Sequence, residues 1–299
     1  MIENEILRTD NLELLARQVV EGFITGMHKS PYHGFSVEFA EHRQYNSGES
    51  VRNIDWKLYA RTERLYVKRF EEETNLRCQI LIDNSGSMNY PPDGLSKLQF
   101  SVLSAASLMH LLKLQRDAVG LSVFSDKIYE ESQTRSSATH HMQLLNILSN
   151  LYSRDVTSDS SSICNTLHEI AERIHRRSMV VIFSDMFDSM EPDLIFDALQ
   201  HLKYNKHEVI LFHTLHKPLE KDFEFENRPY TFQDSETGQR VKLFPEEVKE
   251  VYTKKMFDFH RELKFRAAQY QIDFVEADVS KPIDQILIPF LVKRQRMRG

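Results

Sequence analysis

The stretch that decides the fold is QILIDNSGSM, which spans Gln79–Met88. Its apolar start is typical of a buried strand, and its end places Asp83, Ser85 and Ser87 at alternate positions. Mg²⁺ prefers oxygen ligands in near-octahedral geometry and keeps several of its waters, so a carboxylate and two hydroxyls supply part of such a shell. Because hydroxyls are neutral, the ion stays electrophilic and can accept a carboxylate from another molecule. The stretch therefore predicts a Mg²⁺ or Mn²⁺ site suited to docking more than to catalysis.

Apolar, β-branched runs alternate with helical patterns along the rest of the chain. Such alternation favours a mostly parallel sheet covered on both faces, so we expect an α/β fold with a doubly wound sheet. Ligands bind such sheets at the carboxyl ends of the strands, near the point where strand order reverses. Asp83 and Asp185 both lie just past a predicted strand. The strand candidates are Leu76–Ile82, Ala118–Phe124, Met179–Phe183, Val209–Thr214 and Ile272–Val275.

Two motifs resemble known families. DNSGSM, from Asp83 to Met88, resembles the DxSxS signature of the metal-ion-dependent adhesion site in von Willebrand factor A domains. The block Ser36–Glu73, SVEFAEHRQYNSGESVRNIDWKLYARTERLYVKRFEEE, resembles the signature block of the bacterial family called domain of unknown function 58. Together with the strand pattern, the resemblance extends over roughly Gly34–Pro289. It implies a Rossmann-like sheet of von Willebrand A type, with a small N-terminal β element.

The resemblance also implies how the metal is held. Ser85 and Ser87 would bind it directly, whereas Asp83 and Asp185 would act mainly through waters. The third hydroxyl falls within RDVTSDSSSICNTLHEI: Ser161 takes the ligand position when the following helix is aligned, and Thr157 competes if the loop is longer. An acidic side chain from a partner protein would complete the shell.

Ordinary structural roles explain the same residues. Asp-x-Ser-Gly-Ser after a strand is also a common turn into a helix. Asp185 can cap the helix near Pro192, and Ser161 can belong to the N-cap of the helix that follows it. The sequence alone leaves both sets of roles open.

The function implied by the resemblance is metal-dependent protein binding without catalysis. It implies a bacterial adaptor that works with a MoxR-type AAA+ ATPase in protein assembly, maturation or stress response. One alternative is a Mg²⁺-dependent phosphohydrolase with Asp83 as the nucleophile, although such enzymes require a second acid two residues later, where this chain has Ser85. Another is a scaffold in which the metal site is vestigial.

We expect three regions along the chain. Residues 1–75 form the N-terminal helix and the β signature region. Residues 76–292 form the von Willebrand A-like domain, with a β insertion at 217–244 where short alternating segments flank a turn. Residues 293–299 form a basic, solvated tail.

Within the signature block, RNIDWKLYAR surrounds the single tryptophan with charges. Such dense opposite charges form salt bridges that orient two elements. The alternative is a partner-binding surface anchored by Trp56, Tyr59 and Arg61, because aromatic and arginine side chains dominate interface hot spots.

Composition narrows the class of protein. The net charge of −6 over 299 residues argues against a nucleic-acid-binding face. No apolar run reaches the roughly 18–20 residues that span a membrane, and the start lacks the pattern of a signal peptide, so we expect a cytoplasmic protein that reaches a membrane only through a partner. Cys78 and Cys164 are then expected to be buried free thiols.

Overall fold

The computed structural model describes residues 12–26, 41–44, 56–69, 76–153, 163–187, 192–234 and 238–298. The chain divides into two compact units. The larger comprises Met1–His28 and Leu76–Gly299, and the smaller comprises Lys29–Asn75.

The elements of the larger unit begin with helix α1 (Leu12–Gly26), and those of the smaller unit are β1 (Glu41–Gln44), α2 (Trp56–Thr62) and β2 (Tyr66–Arg69). The larger unit continues with β3 (Arg77–Asp83), α3 (Lys97–Leu114), β4 (Ala118–Phe124), β5 (Ile128–Glu131), α4 (Ala138–Tyr152), α5 (Ile163–Arg173), β6 (Met179–Ser184), α6 (Pro192–Tyr204), β7 (Glu208–Leu215), β8 (Tyr230–Gln233), β9 (Arg240–Leu243), α7 (Pro245–Gln269), β10 (Asp273–Asp278) and α8 (Asp284–Arg298).

The central sheet of the larger unit has the order β10-β7-β6-β3-β4-β5. Neighbouring strands run parallel except β5, which pairs antiparallel with β4. The chain builds outward from β3, first to β4 and β5 on one side and then to β6, β7 and β10 on the other. This order confirms the expected doubly wound, mostly parallel α/β sheet. In doubly wound sheets ligands bind where the strand order reverses, which here is the carboxyl edge of β3 and β6, called the crevice below.

The core lies on both faces of this sheet. Every residue of β6 is buried, as expected for a parallel strand covered on two sides. On one face, Ile80 and Ile82 of β3 pack with residues of α1, α3, α4 and α8. On the other, Leu81 packs with residues of α5, α6 and α7. Full burial of each such side chain contributes roughly 1.5–3 kcal/mol, so β3 is held firmly between two layers.

Helix α1 belongs with the larger unit, whereas the sequence grouped it with the β signature region in residues 1–75. Its residues Leu12, Leu15 and Ala16 are buried in the same core cluster as β3, and α1 packs on α3. The buried apolar face of α1 therefore places this helix in the larger unit, although the residues that follow it in sequence belong to the smaller unit.

The smaller unit contains the expected small β element. Strands β1 and β2 pair antiparallel, with Glu41 opposite Arg69 and Gln44 opposite Tyr66. Helix α2 lies between these strands in sequence and begins at Trp56.

The segment 217–244 carries a turn of π-helix, Lys217–Lys221, followed by the antiparallel pair β8 and β9. Phe223 and Phe232 stack with ring centroids 5.8 Å apart, and Phe223 also lies 4.4 Å from the ring of Tyr252 on α7. These aromatic contacts hold the paired strands against the helix that follows.

The segment 293–299, expected to be a basic tail, is helical as far as Arg298, where α8 ends. Lys293 Nζ lies 2.6 Å from Asp273 on β10, and Arg294 lies 2.9 Å from Glu208 on β7. These ion pairs hold the first two basic residues of the segment against β10 and β7.

Candidate metal and docking site

The candidate site lies at the carboxyl ends of β3 and β6, which are paired side by side in the centre of the sheet. Strand β3 ends at Asp83 and passes into a turn of 3₁₀-helix, Gly86–Asn89. Strand β6 ends at Ser184, directly before Asp185. The parallel pairing therefore brings together two acids that are distant in sequence, as the sequence predicts.

Asp83 is fully buried, and both of its carboxylate oxygens accept hydrogen bonds. The backbone N–H of Ser85 donates to Oδ1 at 2.9 Å, and the hydroxyl of Ser184 donates to Oδ2 at 2.6 Å. Burial and then the charge of Asp185 raise the pKa of Asp83 to about 7, while the hydrogen bonds oppose the rise. A nearby cation would favour the charged form of this acid.

Ser85 and Ser87 present their hydroxyls to each other, with the two Oγ atoms 3.1 Å apart. Neighbouring ligands of an octahedral ion bound at about 2.1 Å lie about 3.0 Å apart, so the spacing suits two ligands of one Mg²⁺. Ser85 is buried and Ser87 is half-buried, which leaves the pair open on one side. The residues present therefore fit a hard divalent cation.

Asp185 is also buried, and its two oxygens have different partners. The backbone N–H of Phe187 donates to Oδ1 at 3.0 Å. The ammonium of Lys97 donates to Oδ2 at 2.7 Å. The second contact is a buried ion pair between the first residue of α3 and the acid that follows β6.

Lys97 and Glu220 belong to the site, although sequence reasoning missed their role. The Lys97 side chain is only 1% exposed, and its Nζ also donates to Glu220 Oε1 at 2.5 Å. From the sequence alone, a solvated lysine explains Lys97 at the start of a helix equally well. The sequence signal that could have marked it is its position at the N-terminus of a helix, where a lysine is unfavourable to the helix dipole.

The charge of Lys97 is held by its partners. Burial lowers the pKa of Lys97, but the charges of Asp185 and then of Glu220 outweigh burial, so that the pKa lies above its usual value. The ammonium is therefore a permanent positive charge that two carboxylates share.

The other predicted site residues do not all lie in this cluster. Ser161 and Thr157, the two candidates for the third hydroxyl, lie outside the described residues. Trp56, Tyr59 and Arg61 lie on α2 in the smaller unit, where Trp56 and Tyr59 are 59% and 41% exposed and their rings meet edge to face at 6.2 Å.

Metal sites of another composition are not found in the described part of the chain, where no group of three or more His, Cys, Asp or Glu side chains could hold a metal ion. A site built on serine hydroxyls is of a different kind.

None of the described helices is long and apolar enough to cross a membrane. Cys78 and Cys164 are both buried and form no disulfide, as expected.

Fold and site together define a doubly wound α/β protein with an acid and hydroxyl cluster at the carboxyl edge of its central strands. The chain matches, over residues 41–262, the family described as "Protein of unknown function DUF58". Because the match spans most of the chain, this protein belongs to that family, as the signature block predicts.

Individual relatives are distant. The uncharacterized protein Rv1480 of Mycobacterium tuberculosis (strain ATCC 25618 / H37Rv) is 27% identical over 181 residues, 60% of this chain and 56% of that protein. This chain thus matches little more than half the length of that relative. Among solved structures, conserved hypothetical protein BatB from Bacteroides thetaiotaomicron has a TM-score of 0.43 at 15% identity, covering 74% of this chain and 99% of the other. A von Willebrand factor type A structure from Catenulispora acidiphila has a TM-score of 0.31 at 15% identity, covering 48% of this chain and 34% of the other.

Proposed function

We propose that this protein is a metal-dependent protein-binding module whose cluster at the carboxyl edge holds Mg²⁺ or Mn²⁺. Ser85 and Ser87 bind the ion directly, and Asp83 and Asp185 act mainly through waters. Ser161 is the proposed third hydroxyl, on the strength of the sequence resemblance. When bound, the ion supplies an electrophilic position that a carboxylate of a partner protein fills.

One observation carries this proposal: the hydroxyls of Ser85 and Ser87 lie 3.1 Å apart, just past the carboxyl end of β3. Two neutral ligands leave most of the charge of the ion unneutralised at the open side. Asp83 and Asp185 stand behind them and supply negative charge without presenting a free oxygen to solvent. Such a site attracts an acidic side chain.

The contacts of Asp83 favour docking over phosphoryl transfer. A nucleophilic aspartate must present an oxygen to the phosphorus, but both oxygens of Asp83 accept hydrogen bonds and the side chain is 0% exposed. A serine nucleophile would need a base. The hydroxyls of Ser85 and Ser87 bond each other, and the acid that the Ser85 hydroxyl also contacts, Asp83, is fully buried.

The partner is proposed to be a protein with an exposed aspartate or glutamate. The family resemblance further suggests a MoxR-type AAA+ ATPase, with Trp56, Tyr59 and Arg61 as a second contact surface. The exposed rings of Trp56 and Tyr59 support that surface, because such rings are enriched among interface anchors.

The first experiment is calorimetric titration of Mg²⁺ and Mn²⁺ into chelator-stripped protein. We expect one site that is lost in Ser85→Ala and in Ser87→Ala. Ser107→Ala is the matched control, because Ser107 is an equally buried serine whose hydroxyl bonds the backbone of α3, away from the crevice. Binding that survives both site variants contradicts the proposed ligands.

A second experiment separates docking from catalysis. The Mg²⁺ titration is repeated with a short peptide carrying one aspartate and with its asparagine twin. Linkage requires that a peptide bound to the ion tighten Mg²⁺ binding, and only the aspartate peptide is expected to do so. Turnover of p-nitrophenyl phosphate that disappears in Asp83→Asn would instead favour the phosphohydrolase. Peptide binding that is unaffected by chelator would favour a scaffold with a vestigial site.

A further inference from the structure

We propose that Lys97 and Glu220 set the charge of the metal site so that it matches a divalent cation, with Glu220 supplying negative charge from outside the ligand shell. This inference rests on the proposed metal site and deepens it.

The geometry fixes both side chains in place. Lys97 Nζ bonds Asp185 at 2.7 Å and Glu220 at 2.5 Å while its side chain is only 1% exposed. Glu220 comes from the turn Lys217–Lys221 after β7, and the backbone N–H of His216 donates to its Oε2 at 2.6 Å. That turn is itself anchored, because the backbone N–H of Lys217 donates to Asp278 on β10 at 3.1 Å. The charge of Glu220 is thus held near the crevice by the fold.

The charges of the cluster then match a divalent ion. With a bound cation favouring the charged acids, the carboxylates of Asp83, Asp185 and Glu220 and the single ammonium of Lys97 carry two net negative charges. A cation of charge two balances this sum, while the two hydroxyls that bind it directly stay neutral and leave its open side electrophilic. If Lys97 paired with Asp185 alone, its ammonium would cancel that acid and leave only the charge of Asp83. Glu220 therefore restores the negative charge that Lys97 removes.

The test uses Glu220→Gln. This variant removes the charge but keeps a side-chain oxygen that can accept the hydrogen bond from the backbone N–H of His216. Mg²⁺ binding, measured by calorimetry on the full chain, is expected to weaken at least about tenfold, since one charge is lost from a poorly screened site. Glu276→Gln is the matched control. It removes a carboxylate on β10 that pairs with Lys221, a residue of the same turn as Glu220, and both side chains of this pair are partly exposed. That variant is expected to bind Mg²⁺ within about twofold of wild type, as solvent screens its charge.

A double variant separates charge from structure. Lys97→Met with Glu220→Gln again has two net negative charges, so Mg²⁺ affinity is expected to return to within about threefold of the wild-type value. Thermal unfolding of each variant checks that it is folded. An unchanged affinity in Glu220→Gln, beside normal wild-type binding, overturns this inference but leaves the metal site standing. A double variant as weak as Glu220→Gln also overturns it, because the loss is then structural. Absence of binding in folded wild type overturns the metal site and this inference together.

Discussion

Removal of the buried lysine in Lys97→Met tests the energetics of the site most sharply. The substitution keeps an unbranched side chain of similar length but leaves Asp185 and Glu220, whose side chains are 2% and 18% exposed, without their cation. Breaking a buried ion pair by removing one partner costs about 3–5 kcal/mol, because the remaining charge stays desolvated. We expect a loss of that size in the free energy of unfolding of the metal-free protein. Added Mg²⁺ should recover part of it, since the ion supplies positive charge to the same cluster.

The assay is urea unfolding at pH 7 in chelator, followed by circular dichroism, with the free energy taken by linear extrapolation. Lys221→Met is the matched control: its ion pair with Glu276 has the same kind of contact at 2.8 Å, but the side chains are 23% and 39% exposed. Exposed pairs contribute about 0–1 kcal/mol, so the control should lose no more than that. If Lys97→Met and Lys221→Met lose equal free energy, the buried network does not stabilise the crevice as argued.

Three further predictions concern the core. Burial, followed by the charge of Lys221, lowers the pKa of His260 to about 4, so between pH 6.5 and pH 4 the unfolded chain binds a proton that the folded protein does not. The free energy of unfolding should therefore fall on acidification, with this residue contributing about 2 kcal/mol of the fall between pH 7 and pH 5. In urea titrations, the free energy of unfolding of His260→Gln should fall less steeply with acidification than that of the wild type. An equal slope would contradict this assignment. Gly120→Ala should destabilise the protein by about 1–3 kcal/mol in the same assay, since its Cβ would lie 2.2 Å from Gln79 Oε1 and 2.7 Å from the backbone oxygen of Ser132. A neutral effect would mean that both the Gln79 side chain and the Ser132 backbone shift freely. Cys78 and Cys164 should not react with Ellman's reagent until the protein unfolds, because burial raises the pKa of the Cys78 thiol; rapid reaction in the native state would show an open core.

The sequence predicts the central strands well because they are continuous apolar runs. β4 has the predicted bounds, and β3 differs from prediction by one residue at each end. β5, Ile128–Glu131, could not be predicted in this way, since it is a short edge strand whose residues are half-buried or exposed. Its pairing with β4 depends on the three-dimensional position of the edge and not on a local pattern.

The residues of the site also differ in whether a local sequence pattern can identify them. Asp83, Ser85 and Ser87 are neighbours in sequence, so a local motif reveals them. The network of Lys97 cannot be read locally, because its partners Asp185 and Glu220 lie 88 and 123 residues away. A lysine is almost never fully buried unless it is paired, so the unfavourable position of Lys97 at a helix N-terminus indicates burial only once both partners are located.

The central claim is that the two serine hydroxyls bind a divalent cation, and anomalous diffraction from crystals soaked in Mn²⁺ tests it most directly. The account predicts a Mn²⁺ peak in bonding contact with Ser85 Oγ and Ser87 Oγ, displaced by competing Mg²⁺ and absent from crystals of Ser85→Ala. A peak elsewhere in the protein, or none at the hydroxyls in crystals whose crevice is open to solvent, would contradict it.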